Sequence, residues 1–570
     1  MFKLRPYQEK AEREILNAWT FVPNVLFVLP TGGGKTVTMS RIAHDIKLPT
    51  LLIAHRQELV SQISLALSRY GVKHRLIAPK NTIRTIVSIH LAELGRSLYD
   101  PSAMVSVAGV DTVMSRADEL KSYLYQVRLI IQDEAHHVLR ENKWGKVTDL
   151  VPNAKLLGVT ANTVRADGKG LGRHADGYFD LIVEGPGMRD LIEDGYLTPY
   201  RIFAPPSDYV RPGAEAVGST GDFKLTVARE SVRKSHVVGD VVDHYKRLAF
   251  GKLGVTFTTD VETASDISAK FREAGIPSEV VSAKTPDKIR VDVLRRFRNR
   301  EVMQLVNVDL FGEGFDVPAI EVVSMARPTE SFNLFCQQFG RALRPFYVEG
   351  GDLETRAGRL SAIRDSIKPH AILIDHVGNC IRFAQTHGLP DSRITWSLDG
   401  REKRSRAAVD PGLIPVTACP SCSQLYEKIY RACPHCGFVR QPVARSAPEF
   451  VDGDLHELDE ATLAALRGEV ERIDLPPSAI RTKMERAGAP SIAAAGAAKL
   501  HKQRQEAQRE LREAIALWAG YQRAAGRPDS ESYRRFFFTF GTDVLTAQTL
   551  GRPDAETLAA KVRRACTAQP

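Results

Sequence analysis

Two consecutive α/β domains, each a parallel sheet covered by helices, then a small metal-binding module and a helical tail: this is the architecture that the 570-residue sequence predicts. Three observations carry the expectation. Short apolar, β-branched runs alternate with longer polar stretches of helical period, as in a parallel sheet with crossover helices. The alternation breaks once, in a Pro-, Gly- and Ser-rich stretch after residue 200, and then resumes. Beyond residue 412 four cysteines cluster, and the composition later turns Ala-, Arg- and Gln-rich.

In residues 1–200, VLFVLP (25–30), TLLIAH (50–55), VRLIIQDE (127–134) and AKLLGVT (154–160) read as buried parallel strands. Residues 201–235 read as a connector. In residues 236–385, KLGVTFTT (252–259), SEVVSA (278–283), MQLVNVD (303–309), IEVVSMA (320–326) and AILIDH (371–376) form a second set. A basic linker containing GREKRSR follows over 386–412, then the cysteine module (413–440), an acidic linker (441–489) and a helical C-terminal domain (490–570).

A hydrophobic content of 43% and a charged content of 26% are ordinary for a soluble globular chain. No apolar run approaches the ~18 residues of a membrane span. The N-terminal MFKLRPYQEKAEREI is charged and amphipathic, without the apolar core of a signal peptide. Three of the seven cysteines are scattered, which argues for reduced thiols and a cytoplasmic location. The net charge of +10 suits a polyanionic partner.

PTGGGKT (30–36) follows a strand and opens a helical run. Its glycines Gly32, Gly33 and Gly34 let backbone N–H groups approach phosphate oxygens, and the following helix adds its positive end. Lys35 is placed for the β- and γ-phosphates of ATP and Thr36 for Mg²⁺. Leu29 stands where the strict phosphate-loop pattern has glycine. Asp133, Glu134, Ala135 and His136 end a strand about a hundred residues later. A carboxylate at a strand's C-terminal end faces the crevice where open α/β sheets bind ligands. Asp133 is the candidate for Mg²⁺ and Glu134 for polarising the attacking water.

PTGGGKT, DEAH and QQFGRALR (337–344), in that order, resemble motifs I, II and VI of superfamily 2 helicases, in which the first position of motif I is often not glycine. LRPYQ (4–8) resembles the adenine-reading motif, with Arg5 and Gln8 on the nucleotide alongside Thr31. AHRQELVSQ (54–62) resembles motif Ia, with His55, Arg56 and Gln57 on the nucleic acid. DTVMSR (111–116) is similar in position to motif Ib. VNVDLFGEGFDVP (306–318) resembles motif V, in which Gly314 and Asp316 link nucleotide and nucleic acid. The resemblance implies two tandem RecA-like domains with ATP between them. It also implies Gln337, Arg341 and Arg344 as groups from the second domain, the arginines acting as fingers on the γ-phosphate. His136 and Thr160 are assigned to coupling hydrolysis with strand movement. Motif III departs from its Ser/Thr-Ala-Thr form: Asn162 stands third. The order of helicase core and cysteine module looks most like RadD-type DNA repair helicases and helicases of bacteriophages. It favours DNA over RNA as the nucleic-acid partner.

Cys419-x2-Cys422 and Cys433-x2-Cys436 form two knuckles ten residues apart, a spacing that sets four thiolates around one structural Zn²⁺. His435 lies between two ligands and is not expected to be one. In the tail, Leu511, Ile515, Trp518 and Gln522 share a helix face, and SESYRRFFFTFGTD (530–543) interleaves aromatic and basic residues, with core packing favoured over base stacking. A repair or replication protein could dock on the ribbon or on these helices. The expected function is an ATP-dependent helicase in DNA repair, recombination or phage replication. The alternatives are a duplex translocase that remodels protein–DNA complexes and, third, a binding protein with an inactive ATPase core.

Overall fold

The computed structural model describes residues 4–54, 57–163, 170–205, 209, 211–218, 222–233, 235, 237–282, 285–308, 320–392, 396–399, 416–430, 432–439, 470, 472–486, 490–527 and 529–567. They form two compact units, one of residues 1–383 and 387–405, the other of 384–386 and 406–570.

The first half of unit one runs α1 (Pro6–Ala18), β1 (Asn24–Val28), α2 (Lys35–Ile46), β2 (Thr50–Ala54), α3 (Gln57–Arg69), β3 (His74–Ile77), α4 (Lys80–Leu94), β4 (Val105–Gly109), α5 (Val110–Ser115), α6 (Ala117–Gln126), β5 (Leu129–Asp133), α7 (Lys143–Asp149), β6 (Lys155–Thr160), β7 (Leu181–Glu184) and α8 (Met188–Glu193). Seven parallel strands lie in the order β3-β4-β2-β5-β6-β1-β7. Successive side chains of a strand point to opposite faces. Phe27, Leu52, Ile131 and Leu157 therefore pack with residues of α1, α2 and α3, whereas Leu26, Leu51, Ile53, Ile130 and Leu156 pack on the other face with Val113, Leu124 and Val147. Burial on both faces explains why the strands read as continuous apolar runs.

The second half runs β8 (Tyr200–Phe203), α9 (Leu225–Arg233), α10 (Val237–Ala249), β9 (Gly254–Thr258), α11 (Val261–Glu273), β10 (Ser278–Ser282), α12 (Asp287–Arg298), β11 (Gln304–Val308), β12 (Val322–Met325), α13 (Phe332–Arg341), α14 (Arg356–Arg364), β13 (Ala371–Asp375) and α15 (Asn379–Thr386). Its six parallel strands are ordered β10-β11-β9-β12-β13-β8.

Two connectors differ from the sequence reading. Residues 201–235 carry an edge strand and a helix: β8 pairs with β13 in the second sheet, and Ala228 and Val232 of α9 are buried. A four-residue strand that runs into Ala204 and two prolines has too little apolar length to stand out. The stretch expected as a basic linker returns to the first sheet. Trp396 and Leu398 pack against its core, the Gly172 N–H donates to the Leu398 carbonyl at 3.0 Å, and Arg189 pairs with Asp391 at 3.0 Å.

In unit two, β14 (Val416–Ala418) and β15 (Leu425–Glu427) form an antiparallel hairpin. A helix, Pro477–Arg486, lies within the stretch expected as an acidic linker. The helix Ser491–Ala524 buries Leu511, Ile515, Trp518 and Gln522, the face read from the sequence. Phe536 joins that core edge-on to Trp518. Its neighbours Arg534 and Arg535 reach the Ile429 carbonyl at 2.7 Å and the Glu427 carboxylate at 3.0 Å, tying the tail to the hairpin. Among the described residues, no helix is long and apolar enough to cross a membrane.

Candidate functional site

Three neighbouring strands, β5-β6-β1, end side by side and carry the loops that the sequence singles out. Val28 at the end of β1 pairs with Thr160 of β6, and Asp133 of β5 pairs with Val159. PTGGGKT, DEAH and TAN thus meet at one carboxyl edge of the sheet, where such folds bind ligands.

Gly32 and Gly34 have φ of +87° and +92°, a left-handed backbone that side chains resist. A Cβ on Gly34 would lie 2.4 Å from Gln8 Nε2, and one on Gly32 2.8 Å from Leu197. Gly34 caps α2, so the free N–H groups of the helix's first turn open onto the loop. This cradle of backbone donors fits a phosphate chain. Lys35 Nζ donates to the Leu29 carbonyl at a long 3.4 Å and the side chain is only partly buried, which leaves it able to turn to a phosphate.

Gln8 reads the loop from the other side. Its Oε1 accepts the Arg5 N–H at 3.0 Å, and its Nε2 donates to the Gly33 and Gly34 carbonyls at 3.3 and 3.4 Å. Three residues absent from the sequence reading complete this corner. Tyr7 OH donates to the Gly33 carbonyl at 2.7 Å. The Arg5 and Arg359 guanidinium groups lie 4.9 and 4.0 Å from the centre of the Tyr196 ring. Tyr7 could have been found as the aromatic next to Gln8. Tyr196 and Arg359 carry no local signal, because the fold brings them together from distant segments.

Asp133, Glu134 and His136 are all buried. Glu134 adopts φ +52°, ψ +48°, a left-handed conformation costing a non-glycine residue about 1–2 kcal/mol. That turn folds the chain back at the strand's end. Among the described residues its Oε2 accepts no hydrogen bond, and it lies 3.5 Å from His136 Nδ1. The Thr160 hydroxyl gives its one proton to the Asn162 carbonyl at 2.8 Å, so at 3.0 Å it accepts from His136 Nδ1. His136 therefore bridges DEAH and motif III. Burial, and then the Glu134 charge, push Asp133 up to about 7, against the pull of Lys35. Two buried carboxyls beside one lysine are a donor set suited to a divalent cation, which would favour the ionised form.

The second sheet's helix α13 comes to the loop directly. A Cβ on Gly340 would meet Thr31 Cβ at 2.7 Å, and Arg344 Cγ lies 4.0 Å from where a Cβ of Gly32 would stand. Gln337, Gly340 and Arg341 recur at helical spacing on one side of α13, and Arg344 follows in the turn beyond the helix end. Burial lowers the Arg344 guanidinium to about 10, and it stays charged at neutral pH. Gly314 and Asp316 lie outside the described residues, as do His55 and Arg56. Gln57 is described only as the first residue of α3.

In unit two, the four Sγ atoms of Cys419, Cys422, Cys433 and Cys436 lie within 4.8 Å of one another. Cys419 and Cys436 are 3.6 Å apart and Cys422 and Cys433 3.8 Å. Tetrahedral Zn²⁺ with bonds of ~2.3 Å needs sulfurs about 3.8 Å apart, so the cluster fits. His435 Nε2 faces the Leu425 carbonyl at 3.3 Å and is not part of the set. Metal analysis of chelator-free protein is expected to return one Zn²⁺ per chain. Cys433→Ser is expected to loosen the hairpin and leave basal ATPase largely intact, since four thiolates close the coordination sphere. Hydrogen exchange over 416–439 beside an ATPase assay checks both.

Residues 1–165 match the family model described as type III restriction enzyme, res subunit, and residues 238–345 match the helicase conserved C-terminal domain. Both matches support a superfamily 2 helicase. The chain is 29% identical to a 51.5 kDa protein of a Lactococcus phage, over 72% of the chain and 76% of the phage protein. It is 28% identical to IRC3 of Saccharomyces cerevisiae over 60% of the chain, which spans only 49% of the yeast protein. Identity to the DNA 3'-5' translocase XPB2 of Sulfurisphaera tokodaii is 24%, over 60% of the chain and 79% of that protein. The two helicase domains make the chain an ATP-hydrolysing helicase or translocase and imply its use of ATP and Mg²⁺.

Proposed function

We propose that this superfamily 2 helicase is a DNA motor that hydrolyses ATP in a composite site between its two sheets. The observation that carries the reading is the packing of α13 on the phosphate loop, Gly340 against Thr31, beside the carboxylates of DEAH. The loop N–H groups and Lys35 bind the phosphates, while Gln8 and Arg5 lie on the base side. Thr36 and Asp133 hold Mg²⁺, which when bound neutralises charge on the phosphate oxygens. Glu134 accepts the proton of the attacking water. Its contact with His136, and that of His136 with Thr160, pass the change at the γ-phosphate to motif III. Arg341 and Arg344 stabilise the charge of the transferring phosphoryl group. Because the arginines come from the second sheet, hydrolysis and cleft closure are one event, and product release parts the two grips on the nucleic acid. Intact Lys35, Asp133, Glu134, Arg341 and Arg344 oppose an inactive core.

A second reading is duplex translocation without strand separation, since Asn162 bears on how hydrolysis couples to strand movement. Asn162 replaces the motif III threonine of the family and keeps its backbone carbonyl on Thr160. ATPase rates with single-stranded DNA, duplex, forked DNA and RNA, beside a strand-separation assay, decide. Stimulation by forked DNA with strand release supports a helicase, and stimulation by duplex without release supports a translocase. Stimulation by RNA alone contradicts both.

Contact with the backbone releases counterions, so affinity for DNA is expected to fall steeply with salt. A log–log plot between roughly 50 and 200 mM salt checks this, and a slope near zero would contradict a phosphate-tracking motor.

A further inference from the structure

Lys368 is a buried ammonium to which the reaction described above gives no task. It lies just before Pro369 and β13, and its side chain is among the largest fully buried in the protein. Removing a charge from water is costly unless a partner takes up the lost hydrogen bonds. Lys368 Nζ donates to the main-chain carbonyl of Arg344 at 2.6 Å. The Thr198 hydroxyl donates to the same carbonyl at 3.4 Å, and the Thr198 N–H donates to the carbonyl of Leu343 at 2.8 Å. Both carbonyls belong to the turn that leaves α13, where a helix ends without partners for its last C=O groups and where a cation is favourable. Pro345 further restricts the backbone of Arg344 to extended conformations. The Arg344 side chain then runs toward the phosphate loop, its Cγ 4.0 Å from the Cβ position of Gly32.

We propose that Lys368 is a positioning residue for Arg344: its ammonium clamps the Arg344 carbonyl and so aims the guanidinium at the γ-phosphate. The inference rests on the reading of Arg344 as an arginine finger. A hydrogen bond from a charged donor is about twice as strong as a neutral one, which suits a clamp that must hold while the cleft opens and closes. Burial opposes the charge on Lys368, Glu321 favours it and Arg344 opposes it, which together bring the amine down to about 7.

Kinetics of the full-length chain test the clamp. Lys368→Met keeps the length and apolar stem but removes the donor. Its DNA-stimulated kcat is expected to fall about 10- to 100-fold, the scale of a catalytic group displaced by about 1 Å. KM and Kd for ATP should stay within about twofold, since the phosphate loop is untouched. The deciding comparison is a double-mutant cycle. Combined with Arg344→Ala, Lys368→Met should cost nothing further, because a clamp has no effect once its finger is gone. An additional loss in the double variant, equal to that of Lys368→Met alone, would overturn the proposal by showing that Lys368 acts elsewhere. Unchanged kcat in Lys368→Met would overturn it too. Full turnover in Arg344→Ala would instead remove the finger reading itself, and the clamp with it. Should Lys368→Met not fold, Lys368→Arg decides. A variant that keeps a cation for the carbonyl should hold kcat within about threefold of wild type, and a loss beyond about tenfold in folded protein would contradict the clamp.

Discussion

Arg344→Ala is expected to lower DNA-stimulated ATP turnover about a thousandfold or more, and Arg341→Ala comparably, with ATP affinity reduced far less. Both residues come from the second half of the unit, Arg341 at the end of α13 and Arg344 in the turn beyond it, while the groups proposed for phosphate and cation come from the first. Alanine at either position leaves the phosphate loop, DEAH and Gln8 in place, so nucleotide should still bind. What is lost is positive charge where negative charge develops on the transferring group, and buried surroundings raise the worth of that charge. Stopped-flow binding of a fluorescent ATP analogue, beside steady-state kcat, separates the two effects. Near-normal stimulated turnover in both variants would mean that the second sheet contributes no charge to the reaction.

Lys35→Ala and Glu134→Gln are both expected to abolish hydrolysis, by different routes. Without Lys35 the cradle loses the cation at its own helix start, and ATP binding should weaken together with turnover. Glu134→Gln keeps shape and hydrogen-bonding capacity at a turn that already bears a left-handed backbone. It removes the proton acceptor, so this variant should bind ATP at least as well as wild type while failing to hydrolyse it. It also removes a buried negative charge that pushes Asp133 up, which should leave Asp133 more readily ionised for the cation. Isothermal titration with ATP and Mg²⁺, with phosphate release followed in parallel, checks the split. Wild-type turnover in either variant would remove the assignment.

What the sequence made legible was local. PTGGGKT needs its glycines, lysine and helix start within seven residues, and DEAH needs only a strand end. Both can be read because their chemistry and their backbone geometry come from the same few residues. The strands read from the sequence were legible because burial on both faces demands unbroken apolar runs, whereas β3, β4 and β7 were not read. Residues whose roles come from tertiary contact were not. Tyr196 draws its meaning from Arg5 and Arg359, and Lys368 from a carbonyl 24 residues earlier in the chain. β8 was misplaced in a connector because an edge strand of four residues needs little apolar sequence. Trp396 and Leu398 were hidden in a basic stretch, since two side chains are enough to fasten it to the first sheet's core. Arg534 and Arg535 lie in a motif that also fits base stacking, and only their contacts with Ile429 and Glu427 show that they brace the cysteine hairpin.

The central claim is that two sheets share one ATPase site whose closure depends on nucleic acid. Steady-state phosphate release by the full-length chain, with and without DNA and beside Glu134→Gln, tests it most directly. The account predicts wild-type turnover that rises severalfold when DNA is added, while Glu134→Gln stays at background in both conditions. Wild-type turnover no higher than that of Glu134→Gln, with every nucleic acid offered, would contradict it.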